Sequence, residues 1–166
     1  MVFNPIDRHK IVLNRFPQFT IGRDALKFVT KFKYLGHIIS DTLSDDADVM
    51  REVRNLYVRS NILKRRFGYC SKAVKVVLFR SYCVNMYDTA LWHSFTARTI
   101  NRLRSCYHKC LKHFFGYSRR YSVCSMLLEL NLPSFDTLLI NSSAVFNQHW
   151  IASDNALVSY LNVLRC

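Results

Sequence analysis

Half of the 166 residues are apolar and 14% are aromatic, with only four Gly and three Pro, a composition that can bury a core and excludes disorder over any large part. Lys and Arg number 24 against 11 Asp and Glu, a net charge of +13, and from Arg51 to Arg120 there are 16 cations with only Glu52 and Asp88 as acids. Such a field attracts polyanions, and cations interleaved with aromatics favour nucleic acid over an anionic membrane surface.

The opening Met1-Val-Phe-Asn-Pro lacks the apolar run of a secretory leader. Further on, Val76-Val77-Leu78-Phe79 is cut by Arg80, far short of the roughly 20 residues of a membrane-crossing helix. The expectation is a protein inside the cell, in nucleus or cytoplasm, neither secreted nor membrane-bound. Six cysteines without C-x-x-C spacing read as small core hydrophobes in a reducing compartment.

In chain order, Met1-Val-Phe and Ile11-Val-Leu are short apolar pieces broken by Pro5, Pro17 and Gly22. From Phe28 to Ile39 the residues alternate with period two, which predicts strands. A strand beginning at residue 1 with nothing upstream to pair with reads as a truncated start. From Ser44 the period becomes helical: Val49, Val53, Leu56, Ser60, Leu63 and Phe67 form one stripe, with Arg51, Arg54, Arg59, Arg65 and Arg66 mostly off it. Ser44 or Asp45 can cap this helix, Asp45, Asp46 and Asp48 suit its positive end, and Gly68 stops it.

A second helix is predicted from about Ser71 to Asp88. Val74, Val77, Leu78, Tyr82 and Met86 form its main face, Ala73, Val76, Phe79 and Cys83 lie beside them so that most sides are expected to be buried, and Lys72, Lys75 and Arg80 are its basic outlets. Around Leu91 to Thr96 lies a weak linker candidate. A third helix, about Ala97 to Phe115, turns Ile100, Leu103, Tyr107, Cys110, Leu111 and Phe114 inward and Arg98, Arg102, Arg104, Lys109 and Lys112 outward, and ends at Gly116. After the basic turn Tyr117-Ser-Arg-Arg, helices follow near Ser122 to Leu130, from a Ser134 cap to about Trp150, and near Asn155 to Leu164. The fold expected is mainly α, a helical bundle with a short N-terminal β-hairpin.

Two constellations could hold metal. Asp45-Asp46 is a carboxylate pair, but no apolar strand follows it, and helix capping explains it better. Cys106, Cys110 and His113, with His108 nearby, lie along one helix face, and a zinc site there would need Cys124 or His149 as a fourth ligand; three ligands on one straight helix is an unusual zinc geometry, so no metal site is assigned.

The run Phe32-Lys-Tyr-Leu-Gly-His-Ile-Ile resembles the primer-grip segment of reverse transcriptases from non-LTR (LINE-type) retrotransposons. Downstream blocks follow in the order of that family: Val53-x-x-x-Tyr57-x-x-x-Asn61-x-Leu63, Leu78-Phe-Arg-Ser-Tyr-Cys, Tyr87-x-x-x-Leu91-Trp92, Leu103-x-x-x-Tyr107-x-x-x-Leu111, Leu132-Pro-Ser-Phe and Val145-Phe-Asn. The resemblance implies a C-terminal fragment of an RNA-directed DNA polymerase. Its parts would be a palm remnant with primer-grip strands at 1–43, thumb helices at 44–92 and a post-thumb helical extension at 93–166. It further implies an RNA or RNA/DNA duplex as partner, beside the palm and fingers portion of the polymerase. The catalytic carboxylates and their magnesium would belong to that palm, upstream of Met1, so the fragment would need no cofactor of its own and would not polymerise. Lys33, Tyr34, Leu35, Gly36, Arg51, Arg54, Arg59, Lys64, Arg65, Arg66, Lys72 and Lys75 are the nucleic-acid-binding residues it suggests, serving phosphates without reading sequence. The alternative is a non-enzymatic basic helical interaction protein, a domesticated or decayed fragment.

Overall fold

The structure, a computed structural model, describes residues 1, 3, 17–86 and 88–164, excepting the side chains at 163 and 164. The apolar pieces expected around residues 2 and 11–13, the break at Pro5, and Tyr87 lie outside these residues. Among the described residues the chain is 61% helical, with two small antiparallel ribbons, so the mainly α fold with an N-terminal hairpin is the fold found. The ribbons are β1 (Thr20–Ile21) with β2 (Asp24–Ala25) and β3 (Lys31–Tyr34) with β4 (His37–Ser40). The helices are α1 (Asp46–Phe67), α2 (Lys72–Phe79), α3 (Ala97–Phe115), α4 (Val123–Leu130), α5 (Phe135–Ile151) and α6 (Ala156–Leu164).

Two compact units emerge, residues 1–58 with 92–106 and residues 59–91 with 107–166. They do not follow the linear division at 43/44 and 92/93. A helix of 22 residues such as α1 rises about 33 Å, more than one small core needs, so the boundaries fall inside α1 and α3.

In the first unit, Val49, Val53, Leu56, Trp92, Ile100, Leu103 and Cys106 are buried, and so are Asp48 and Glu52. Asp48 has no exposed surface, and its carboxylate accepts from the Ile38 backbone N–H at 2.9 Å, from Arg51 Nε at 2.6 Å and from Trp92 Nε1 at 2.9 Å. His37 Nδ1 lies 3.0 Å from the same group. One carboxylate thus joins β4, the first turn of α1 and the segment ahead of α3. The neighbouring acids complete the clasp: Asp45 accepts from the His93 and Ser94 N–H groups, each at 2.8 Å, and Asp46 from the Thr96 N–H at 2.8 Å. The segment read as a weak linker candidate is therefore tied down by three of its N–H groups and by the Ser94 carbonyl, which accepts from the Asp45 N–H at 2.7 Å; sequence spacing could not reveal this because the partners lie some 48 to 50 residues away.

The hairpin pairs Phe32 with Ile39, Lys33 with Ile38 and Tyr34 with His37, leaving a two-residue turn of Leu35 (φ 47°) and Gly36 (φ 91°). Positive φ at both central residues matches the right-handed strand twist; Gly36 takes it freely, whereas a leucine there is strained by about 1 kcal/mol.

The second unit buries Leu63, Phe79, Cys83, Met86, Tyr107, Cys110, Leu111, Phe114, Met126, Leu130, Leu132 and Phe135. Every inward residue expected of α3 is buried, and α4, α5 and their serine caps, Ser122 and Ser134, stand where predicted. The ring of Phe79 lies about 6 Å from those of Tyr107, Phe114 and Phe115, and the Tyr107 hydroxyl donates to the Pro133 carbonyl at 2.9 Å.

The second helix departs from expectation. It stops at Phe79, continues as one π-helical turn over Arg80–Val84 and resumes as a 3₁₀ turn over Thr89–Leu91. Ser81 Oγ donates back to the Val77 carbonyl at 3.0 Å, and the Arg80 guanidinium donates to the Asn131 carbonyl. Such insertions accompany breaks in the regular ladder. The buried face is consequently Phe79, Cys83 and Met86, while Val74, Val77 and Tyr82 are exposed. At the end of α1, a Cβ on Gly68 would stand 2.6 Å from the Lys64 carbonyl oxygen, so the residue that stops the helix has to be glycine for want of room.

Burial raises the Asp48 pKa, but the Arg51 hydrogen bond, then those of Trp92 and Ile38 and the Arg51 charge, outweigh it and hold it below the ordinary 3.8. A depressed folded pKa means that this stability is fully present above the unfolded value and is lost as pH falls through the folded one. We expect Asp48→Ala to lower unfolding free energy by about 3 kcal/mol or more in urea titrations, and Asp48→Asn to flatten the acid limb of stability below about pH 4. Leu35→Asn relieves the strained turn and is expected to raise stability by about 1 kcal/mol in the same assay.

Candidate nucleic-acid interface

The twelve residues suggested by the resemblance divide between the units. Lys33, Tyr34, Leu35, Gly36, Arg51 and Arg54 fall in the first, and Arg59, Lys64, Arg65, Arg66, Lys72 and Lys75 in the second.

Within the first unit the hairpin does not present Lys33 and Tyr34 together. Successive strand residues point to opposite faces, and the register places Tyr34 on the face of His37 and Lys33 on that of Ile38. Both side chains are exposed, and Leu35 is 77% exposed at the tip. Arg51 must be removed from the set of phosphate contacts. Its guanidinium donates to both Asp48 oxygens, at 2.6 and 3.2 Å, and lies 3.6 Å from Glu52, two carboxylates with no exposed surface. Sequence periodicity put Arg51 off the apolar stripe correctly, but the buried acids beside it capture its charge. Arg54, one turn on, is exposed.

Within the second unit, Arg65 and Arg66 are exposed in the last turn of α1 and with Ile62 line a depression of about 280 Å³. Arg59 and Lys64 flank the buried stripe of α1 on opposite sides. Lys72 and Lys75, three residues apart on α2, both line a cleft of about 300 Å³ with Phe115, Gly116, Tyr117 and Glu129. The Lys75 ammonium sits 5.9 Å from the centre of the Phe114 ring.

The basic turn after α3 belongs to this surface and was not assigned to it from sequence. Gly116, at φ +81°, and Tyr117 both donate their N–H to the Lys112 carbonyl, closing the helix. Lys112 folds back so that its ammonium donates to the carbonyls of Arg119 at 2.9 Å and Tyr121 at 2.6 Å. Its charge, expected on the outer face, is thereby spent on the turn, while Arg119 and Arg120 are exposed. Glu129 accepts from both the Tyr117 and Tyr121 hydroxyls and from Lys72. The hydroxyl of Tyr121, then that of Tyr117, lower its pKa against the opposing desolvation, with Lys72 adding to the shift. The signal present in sequence was two tyrosines bracketing two arginines.

The other motifs take structural places. Asp45 and Asp46 are committed to backbone N–H groups of residues 93, 94 and 96, an arrangement that suits a clasp and not a pair of metal ligands. Cys106 and Cys110 are buried, Cys106 Sγ donating to the Val53 carbonyl, while His113 is exposed. No single helix among the described residues is long and apolar enough to cross a membrane.

Arg51→Ala would leave Asp48 and Glu52 buried beside a lost partner, and we expect it to cost about 3 kcal/mol of stability in chemical denaturation, against about 0.5 kcal/mol or less for Arg54→Ala. No protein family, curated protein or solved structure matches the chain.

Proposed function

We propose that the chain is a fragment of the RNA-directed DNA polymerase of a non-LTR retrotransposon that binds template-primer nucleic acid through its basic helices, without catalysis of its own. What supports this reading is the cations that each unit leaves at its surface: exposed Arg54 on α1 in the first, and in the second exposed Arg65, Arg66 and Lys72 with half-buried Lys75. A surface that grips a duplex without reading it needs cations for phosphates and no base-edge donors at fixed places. The collinear motifs from Phe32 to Asn147 support the polymerase ancestry, and magnesium would belong to a palm portion. Asp45 and Asp46, the carboxylate pair nearest in sequence to the hairpin, are engaged by backbone donors and are not assigned a metal.

A second reading, a non-enzymatic interaction protein, is favoured by apolar side chains that α2, α5 and α6 leave exposed, among them Val77, Tyr82, Ile140, Ile151, Leu157 and Tyr160. Salt separates the two. Nucleic-acid binding through phosphates weakens steeply with salt, whereas apolar docking does not.

Affinity for an RNA/DNA duplex, followed by fluorescence anisotropy across a salt series, is expected to give a log–log slope of about −4 to −6, as for neutralisation of about 5 to 7 phosphates. Replacing Arg65 and Arg66 together by alanine should reduce the slope by about 2 units. An affinity indifferent to salt would remove the proposal.

A further inference from the structure

Beyond the duplex-gripping helices, the turn between α3 and α4 combines three features that a solvated basic loop does not need. It is rigid, because the Lys112 ammonium holds the carbonyls of Arg119 and Tyr121. It carries a preassembled aromatic pair: the Tyr117 and Tyr121 rings stack with centroids 4.8 Å apart and planes 29° from parallel, their hydroxyls both anchored on Glu129. Finally, Tyr117 borders the cleft of about 300 Å³ that Lys72, Lys75, Phe115, Gly116 and Glu129 complete, with Arg119 and Arg120 exposed in the same turn.

We infer that this cleft takes single-stranded nucleic acid as a second mode of binding that shares Lys72 and Lys75 with the duplex, one unpaired nucleotide placing its base against the Tyr117 ring and its phosphate against the two lysines. The inference rests on the nucleic-acid reading above and adds to it a place and a strandedness. Tyrosine rings offer a π-face to any base, but only a base that is not stacked inside a helix can use it. The cleft is at the lower limit of small-ligand sites, and its volume suits a nucleotide and excludes a duplex. Glu129 does not cancel the attraction: it is one carboxylate among Lys72, Lys75, Arg119 and Arg120, and its lone pairs accept from the two phenols and Lys72. Its work is to fix the ring orientation before a base arrives, which removes an ordering cost from binding. Conformational fixing of both rings also explains why the turn spends a lysine on its own carbonyls.

The test uses the full chain with a short fluorescent oligoadenylate and a duplex of equal length at one salt concentration. Tyr117→Leu is expected to weaken the single strand about tenfold while moving duplex affinity by less than about twofold; Tyr117→Trp should hold or tighten single-strand binding. In the unmodified protein, an oligonucleotide carrying 5-iodouracil should, on irradiation, crosslink to the peptide containing Tyr117 or Tyr121. This readout does not depend on a variant folding. Unchanged single-strand affinity in Tyr117→Leu, parallel losses for both ligands, or crosslinks confined to other peptides would each overturn the inference. Duplex binding with no single-strand binding would overturn this site alone. Failure to bind either ligand would take the proposed function with it.

Discussion

A carboxylate with no contact to water organises the first unit. Burying Asp48 costs several kcal/mol unless donors surround it, and the chain supplies them from three places that are remote in sequence: the Ile38 N–H and the His37 ring on β4, Arg51 one turn along α1, and the Trp92 indole ahead of α3. Because each donor must be present for the acid to be tolerated, the hairpin, the start of α1 and the approach to α3 are ordered together. Asp45 and Asp46 extend the same logic by capturing the backbone of residues 93, 94 and 96.

This inward use of acids has an electrostatic consequence. Asp45, Asp46, Asp48 and Glu52 all belong to α1 or its entry, and all four are engaged with donors of the protein itself. Some cations are engaged in turn: Arg51 by the Asp48 carboxylate, and Lys112 by the carbonyls of the turn after α3. What remains exposed includes Arg54, Arg98 and Arg102 in the first unit and Arg65, Arg66, Lys72, Lys109, Arg119 and Arg120 in the second, so the field met by a polyanion comes from fewer residues than a count of basic side chains implies. Structure thereby converts a +13 composition into particular surfaces, and the phosphate-binding role proposed above depends on those surfaces and not on the total.

In the second unit the order comes from aromatic packing. Phe79 lies between Tyr107 and the Phe114–Phe115 pair, and Tyr107 reaches on to Phe135 at the start of α5. Burial pushes the Tyr107 phenol pKa well up, with the nearby Cys83 contributing, and its hydroxyl is satisfied by the Pro133 carbonyl. The Tyr117–Tyr121 pair differs: it is only partly buried and is held by a carboxylate at the surface. A ring that anchors a core and a ring that is held ready at the surface are distinguished here by their neighbours, since nothing in the residue type separates them.

Local chemistry was enough to place most of the helices. The 3.6-residue stripe gave α1 and α3 with their buried faces, Ser122 and Ser134 marked their helix starts, and the crowding at Gly68 and positive φ at Gly116 marked two ends, because these signals act within a few residues of themselves. Where two faces were almost equally apolar, as in α2 and the π turn after it, the sequence favoured Val74, Val77, Tyr82 and Met86, and packing kept Met86 but otherwise chose Phe79 and Cys83. The same holds for the candidate site. Exposure of Arg54 and Arg65 followed from helical phase, but whether a cation is engaged by the protein itself depends on which acids are buried and which carbonyls stand near, as with Arg51 and Lys112. The sequence by itself determined the helical architecture and the basic character; only the tertiary structure decided which acids are buried and what they hold, because hydrogen-bond partners some 50 residues apart leave no periodic trace along the chain.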